Sequence, residues 1–140
     1  ITQSLLPGQL RSGAHTDFGT MTLLFHHGSA EGLEIQRPDG SWLHAPSIPG
    51  AAIVNVGDLL TRWTNGQLRS VLHRVVPPRG EASQRPRYSA TLFYEPMHEV
   101  VISCLEPCQS PTKPALYPPI TAGERLAERR RENLRVGYES

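Results

Sequence analysis

The stretch Gly13-Ala-His-Thr-Asp-Phe-Gly-Thr-Met-Thr-Leu-Leu24 places a polar cluster directly before a β-rich run. Within it, His15 and Asp17 lie two residues apart, and the period of two of extended chain puts both side chains on one face. An imidazole and a carboxylate on one face are two potential ligands of a metal ion. Histidine and aspartate near a turn are more often caps or hydrogen-bond partners, so a metal site needs a third ligand from elsewhere.

The best candidate for the third ligand is His73, within Ser70-Val-Leu-His-Arg-Val-Val76. Period two places His73 on the strand face of Val71 and Val75, where an imidazole is costly unless it is bonded. Two histidines and one carboxylate form the facial triad of non-haem Fe(II) oxygenases, which leaves positions open for a co-substrate and O2. The same donors also build catalytic zinc sites, so the three residues alone allow either metal.

Arg87 and Ser89 belong to another β-rich run, residues 87–94, and period two aligns them on one strand face. The arginine offers a bidentate fork and the serine a hydroxyl, a pair suited to hold a carboxylate inside an apolar pocket. A lone arginine is more often paired with a surface acid. The position of this pair after His73 favours the carboxylate anchor.

The chain alternates short β-rich runs with turn residues, a pattern typical of a sandwich or barrel. Strands are predicted at residues 21–26, 32–36, 41–44, 51–56, 70–76, 87–94 and 100–105. Asp39-Gly40 and Asn65-Gly66 readily supply the positive φ angles of type I′ hairpin turns, and Gly57-Asp58 is interpreted as a further turn. The sequence therefore predicts a mainly β body.

The last third of the chain has a different character. Five prolines between residues 106 and 120 predict an extended connector. Thr121-Ala-Gly-Glu124 matches a capping box, which predicts a helix over about residues 122–135. The predicted organisation is a core at residues 1–106, a Pro-rich connector at 107–120, and a C-terminal helix and tail at 121–140.

The composition is that of an ordinary globular chain of one domain, with 38% hydrophobic and 19% charged residues. The formal net charge of +1 favours neither nucleic acid nor a membrane as partner. Cys104 and Cys108 have a C-x3-C spacing, unlike a disulfide framework or a C-x2-C redox or zinc motif. No apolar run approaches the roughly 20 residues that span a bilayer, and no leader pattern opens the chain, so we expect a reducing cytoplasm.

In their order along the chain, His15-x-Asp17, His73 and Arg87-x-Ser89 resemble the 2-oxoglutarate/Fe(II)-dependent dioxygenases of the isopenicillin N synthase-like superfamily. The resemblance runs over about residues 11–96. Its other blocks are Gly32-Leu-Glu-Ile35, Asn55-Val-Gly-Asp58, Thr64-Asn-Gly66 and the two stretches quoted above around His15 and His73. The resemblance implies a double-stranded β-helix, or jelly roll, with iron held at one mouth.

The resemblance also implies the chemistry of the site. His15, Asp17 and His73 would be the catalytic iron ligands. The distal carboxylate of 2-oxoglutarate would pair with Arg87 and Ser89. Oxidative decarboxylation of 2-oxoglutarate by O2, which yields CO2 and succinate, would be coupled to hydroxylation or related C–H oxidation of a small organic substrate.

Two other functions stay open at this point. Oxidases of the isopenicillin N synthase or aminocyclopropane-carboxylate oxidase type keep the same residues but use no 2-oxoglutarate, and their Arg-Ser pair binds another carboxylate. A truncated, non-catalytic metal-binding module is the third hypothesis. Only fourteen residues precede His15, whereas the family carries a large N-terminal portion, so we expect a jelly roll incomplete at its N-terminus. A missing half or an oligomer would then cover the exposed strands.

Overall fold

The computed structural model describes residues 9–27, 32–77 and 88–136 of the chain. This part is mainly β and ends in a helix, as predicted. The strands are β1 (Ser12–His15), β2 (Met21–His27), β3 (Leu33–Gln36), β4 (Trp42–His44), β5 (Ala52–Val56), β6 (His73–Val75), β7 (Tyr88–Tyr94), β8 (Val101–Ile102) and β9 (Ile120–Thr121). The helices are α1 (Asp58–Trp63) and α2 (Ala122–Val136), with one 3-10 turn at Glu106–Cys108. Neither α-helix in these ranges is long and apolar enough to cross a membrane.

The strands form three sheets, in the orders β1-β6-β3-β4, β5-β2-β7 and β8-β9. In the first sheet every neighbouring pair is antiparallel. Its register pairs His73 of β6 with His15 of β1 on one side and with Ile35 of β3 on the other. The pairing of β1 with β6 is irregular between Ser12 and His15. The ladder therefore brings together two histidines that are far apart in sequence.

Each of the seven predicted strands has a counterpart, most of them shorter than predicted, while β1, β9 and α1 were not predicted. The interpretation of Gly57-Asp58 as an isolated turn was wrong, because Gly57 is the N-cap of α1 and Asp58 is its first residue. Six residues are too few for a 3.6-residue hydrophobic period to emerge from the sequence. Two-residue strands such as β9 carry no period at all.

The turn types also differ from those predicted. At Asp39-Gly40 only the glycine has a positive φ, of 84°, and the Gly40 amide donates to the Arg37 carbonyl at 2.9 Å. This is a type I turn followed by a left-handed glycine, the usual three-residue hairpin loop, and not a type I′ turn. Asn65 and Gly66 do have positive φ, 52° and 75°, but they end α1 instead of joining two strands.

Asn65 also holds the Pro-rich stretch. This side chain is only 1% exposed. Its Nδ2 donates to the carbonyls of Cys108 and Pro114, both at 3.1 Å, and its Oδ1 accepts from the amide of Leu116 at 2.8 Å. Because a buried amide satisfies backbone groups along this stretch, the predicted connector is fixed at several points.

The chain divides into two compact units, one made of residues up to 16 with 23–53 and 71–92, the other of 17–22, 54–70 and 93–140. In the first unit Leu33 and Ala45 are buried, and Arg74 pairs with Glu34 at 2.7 Å while it stacks over Trp42. The core of the second unit is a cluster of Leu59, Ile102 and Ala122, with Trp63, Val100 and Ile120 packed against it.

The predicted capping box starts α2. The Thr121 amide and hydroxyl both donate to the Glu124 carboxylate, at 3.1 and 2.7 Å, and the Glu124 amide donates back to the Thr121 hydroxyl at 3.2 Å. The hydrogen bond from the Thr121 hydroxyl lowers the pKa of Glu124 below its ordinary value.

Thr121→Ala is expected to lower the free energy of unfolding by about 1 kcal/mol, because it removes the N-cap acceptor. Urea denaturation at neutral pH measures the change. The contribution of the Glu124 carboxylate is present above its ordinary pKa of 4.5 and is lost as the pH falls through its lower folded value. Glu124→Gln is the control, since glutamine also completes a capping box but does not titrate. Equal stability of Thr121→Ala and the parent chain would disprove the role of the cap.

Candidate metal centre

The two histidines of the centre lie on neighbouring strands of one sheet and are both partly buried. The Nδ1 of His15 is 2.8 Å from the Gly13 carbonyl oxygen, and the Nδ1 of His73 is 3.1 Å from the Val71 carbonyl oxygen. Since a carbonyl oxygen only accepts, each Nδ1 is the donor, and in the neutral ring the lone pair is on Nε2. The tautomer with the proton on Nδ1 is the one in which a histidine binds a metal through Nε2. The centroids of the two imidazole rings are 4.3 Å apart.

Asp17 lies between β1 and β2 and is 7% exposed. Its Oδ2 accepts two hydrogen bonds, from the Thr22 hydroxyl on β2 and from the Asn55 side-chain amide on β5. A buried carboxylate is costly unless hydrogen bonds compensate it, and these two donors supply that compensation.

The main chain around Asp17 is held by the start of α1. The Asp58 amide donates to the Asp17 carbonyl at 2.8 Å, the Leu59 amide to the Gly19 carbonyl at 3.0 Å, and the Gly57 amide to the Thr20 carbonyl at 2.8 Å. A Cβ on Gly57 would overlap the Gly19 carbonyl group, because this Cβ would lie only 2.7 Å from the Gly19 carbonyl carbon. The helix that the sequence did not reveal is therefore the support on which the carboxylate segment rests.

The C-terminal helix supports α1 in turn. Arg125 of α2 forms a bidentate pair with Asp58, with Nε–Oδ2 at 2.7 Å and NH2–Oδ1 at 3.1 Å. Donation to Asp58 raises the pKa of the Arg125 guanidinium above its ordinary value. Arg129, one turn further along α2, lies over the ring of Phe18 at 5.1 Å. Through these contacts α2 binds Asp58, whose amide donates to the Asp17 carbonyl, and Phe18, which follows Asp17 in the chain.

The structure brings the three predicted ligands together. One ligand atom from each of His15, Asp17 and His73 lies within 4.8 Å of the others. Two imidazole nitrogens and a carboxylate oxygen fit a divalent first-row metal ion. The Nδ1 bonds of the histidines and the bonds to Asp17 are the kind of outer support that metal ligands generally have. The donor set by itself suits Fe(II) and Zn(II) alike.

The predicted carboxylate anchor is only partly visible. Arg87 lies outside the described residues. Ser89 lies on β7, whose seven residues are all exposed. The pairing of Arg87 and Ser89 with a carboxylate therefore stays a prediction.

Two residues at the centre were missed in the sequence, Thr22 and Asn55. Thr22 stood in the same quoted stretch as Asp17, and Asn55 stood in the block Asn55-Val-Gly-Asp58. A signal did exist, because a carboxylate predicted to face inward needs hydrogen-bond donors. The pairing of β2 with β5 that brings Asn55 to Asp17 could not be read from local periodicity.

Comparison with known proteins shows which family the chain resembles. Residues 3–96 match the family model of the 2OG-Fe(II) oxygenase superfamily. Validamycin A dioxygenase of Streptomyces hygroscopicus subsp. limoneus is 42% identical over 88 residues, which are 63% of this chain and 24% of that protein. Gibberellin 3-beta-dioxygenase 2 of Arabidopsis thaliana is 40% identical over 114 residues, 81% of this chain and 31% of that protein. The chain thus spans about a quarter to a third of the length of these relatives.

A solved structure extends the likeness to the fold. A full-length Neurospora crassa protein, in complex with alpha-KG and 5-formyluracil, superposes with a TM-score of 0.81 at 40% identity, over 88% of this chain and 40% of that one. The match confirms the predicted jelly-roll fold class. The alpha-KG in that complex is 2-oxoglutarate, the co-substrate predicted from the resemblance.

Proposed function

Because the chain belongs to the 2OG-Fe(II) oxygenase superfamily, we propose that it carries the iron centre of an oxygenase that consumes 2-oxoglutarate and O2. His15, Asp17 and His73 are the metal ligands and the catalytic residues of this proposal. The observation that carries it is the meeting of their ligand atoms within 4.8 Å. Family membership favours Fe(II) over Zn(II) for a donor set that suits both.

Each residue of the centre has a distinct task. When bound, the iron would supply the site at which O2 and the co-substrate meet, and would activate O2 as the oxidant of a C–H bond. The histidines present Nε2, because their Nδ1 atoms donate to backbone carbonyls. Arg87 and Ser89 hold the distal carboxylate of 2-oxoglutarate by charge-assisted hydrogen bonds.

The proposed reaction couples oxidative decarboxylation of 2-oxoglutarate to hydroxylation or a related C–H oxidation of a small organic molecule. The names of the relatives support this class of substrate, since one is a dioxygenase of validamycin A and another a gibberellin dioxygenase. The alpha-KG in the Neurospora crassa complex favours 2-oxoglutarate over a co-substrate-independent oxidase. Uptake of O2 matched by succinate formation separates the two.

The setting of the protein forms part of the proposal. Cys104 and Cys108 are both free thiols, which fits a reducing cytoplasm. On β7 Tyr88 is 68% exposed and Phe93 57%, and an apolar edge strand of this kind is normally covered. We expect a further segment of the protein or a second copy to cover it.

The anchor is tested by titrating 2-oxoglutarate into the Mn(II)-loaded protein without O2 and measuring the heat of binding. Arg87→Ala should lower the affinity for 2-oxoglutarate by about 10- to 100-fold, because it removes a charge-assisted bidentate contact. It should leave the affinity for Mn(II) nearly unchanged. Arg85→Ala, two residues earlier, is the matched control and should bind like the parent. Equal 2-oxoglutarate affinity of the Arg87 and Arg85 variants would rule out the anchor.

A further inference from the structure

Thr22 and Asn55 reach the same atom of Asp17 from two neighbouring strands. The Thr22 hydroxyl and the Asn55 Nδ2 each lie 2.5 Å from Oδ2. Thr22 is 4% exposed and Asp17 7%, and Asn55 is half-buried. The three side chains thus form a small buried network around one carboxylate oxygen.

The geometry of this network goes beyond the needs of burial. Any donors would compensate a buried carboxylate. Two donors from different strands that converge on one oxygen also fix the rotation of the carboxylate about its Cβ–Cγ bond. The bond from the Asp58 amide to the Asp17 carbonyl, at 2.8 Å, fixes the main chain of the same residue. Asp17 is therefore held at both ends, which a metal ligand requires and a merely buried acid does not.

We propose that Thr22 and Asn55 are positioning residues for the metal ligand Asp17, and that they set the affinity and the coordination geometry of the bound metal ion. The proposal rests on the proposed function, in which Asp17 is a ligand. Neither residue touches the metal or the substrate in this role. Each acts through Oδ2 of Asp17.

Thr22→Val removes the hydroxyl at nearly constant volume, and Thr22→Ser keeps a hydroxyl. Thr20→Val is the matched control, because the Thr20 hydroxyl donates to the Tyr94 carbonyl at 2.7 Å and not to Asp17. Asn55→Ala removes the second donor. Each variant is titrated with Co(II), whose visible absorption reports both the affinity and the geometry of the ligands, and thermal unfolding of the metal-free protein measures the structural cost.

Thr22→Val and Asn55→Ala should each lower the affinity for Co(II) by about 10- to 100-fold and alter the visible spectrum of the bound Co(II). Thr22→Ser should restore most of the affinity, and Thr20→Val should bind like the parent even if its melting temperature falls as far. Parent-like affinity and spectrum in Thr22→Val would overturn the proposal, as would equal losses in Thr22→Val and Thr22→Ser. If Thr22→Val does not fold, the same comparison of Asn55→Ala with Thr20→Val decides.

The same titration separates this inference from the proposed function. If the Asp17→Ala variant binds Co(II) like the parent, Asp17 is not a ligand, and both the proposed function and the positioning role are disproved. Loss of Co(II) in Asp17→Ala together with unchanged binding in Thr22→Val and Asn55→Ala would defeat the positioning role alone.

Discussion

Asp17→Ala is expected to weaken divalent metal binding by more than about 100-fold, the upper range for loss of a residue that only supports a ligand. The substitution removes the one carboxylate of the centre and leaves two histidines, which no longer form a facial set. It also leaves the Thr22 and Asn55 donors without their acceptor, at a cost of about 1–3 kcal/mol each in the free energy of unfolding. Co(II) titration measures the first effect and urea denaturation the second.

The matched control for that substitution is Asp39→Ala. Asp39 lies in the exposed turn between β3 and β4, where its Oδ1 accepts from the amide and the hydroxyl of Ser41. We expect the Asp39 variant to bind Co(II) like the parent. Tight binding retained by Asp17→Ala would mean that another residue supplies the oxygen ligand.

Gly57→Ala is expected to destabilise the chain by about 3 kcal/mol, the upper end of the usual cost of overpacking. Gly57 has φ −98° and ψ 176°, which any residue adopts, so the cost is purely steric. The added methyl group would meet the Gly19 backbone, which is far less able to move aside than a flexible side chain. Urea denaturation of the metal-free protein measures the loss.

The same substitution should also lower the affinity for the metal ion, because the amides of Gly57, Asp58 and Leu59 all donate to the segment that carries Asp17. A shift of that segment moves the carboxylate relative to His15 and His73. Gly13→Ala is the control for stability alone, since a Cβ there meets no atom within 4 Å, while the Gly13 carbonyl accepts from His15. If Gly57→Ala has the stability of Gly13→Ala and the Co(II) affinity of the parent, α1 does not support the centre.

The proposed metal ligands were predictable because much of their information is local. His15 and Asp17 lie two residues apart, and period two alone aligns them. His73 was predicted from its apolar strand, although its register opposite His15 is a property of the sheet. The resemblance to a family then favoured iron over zinc for these three residues.

The supports of the centre were not predictable in the same way. Asn55 meets Asp17 only because β5 lies beside β2, and strand order is not encoded in local periodicity. Helix α1 is too short to show a helical period, and its glycine and aspartate suggest a turn. Local patterns therefore indicated the candidate ligands, whereas long-range strand pairing determines which residues hydrogen-bond to them.

The most direct measurement is anaerobic titration of the protein with Fe(II) and 2-oxoglutarate, followed in the visible region. If His15, Asp17 and His73 hold iron with 2-oxoglutarate chelated to it, an iron-to-ligand charge-transfer band should grow to saturation at one equivalent of Fe(II). Asp17→Ala should show no band, and Arg87→Ala should need much more 2-oxoglutarate to reach it. Absence of the band in folded parent protein that has bound one equivalent of Fe(II), with 2-oxoglutarate in excess, would disprove the proposed centre.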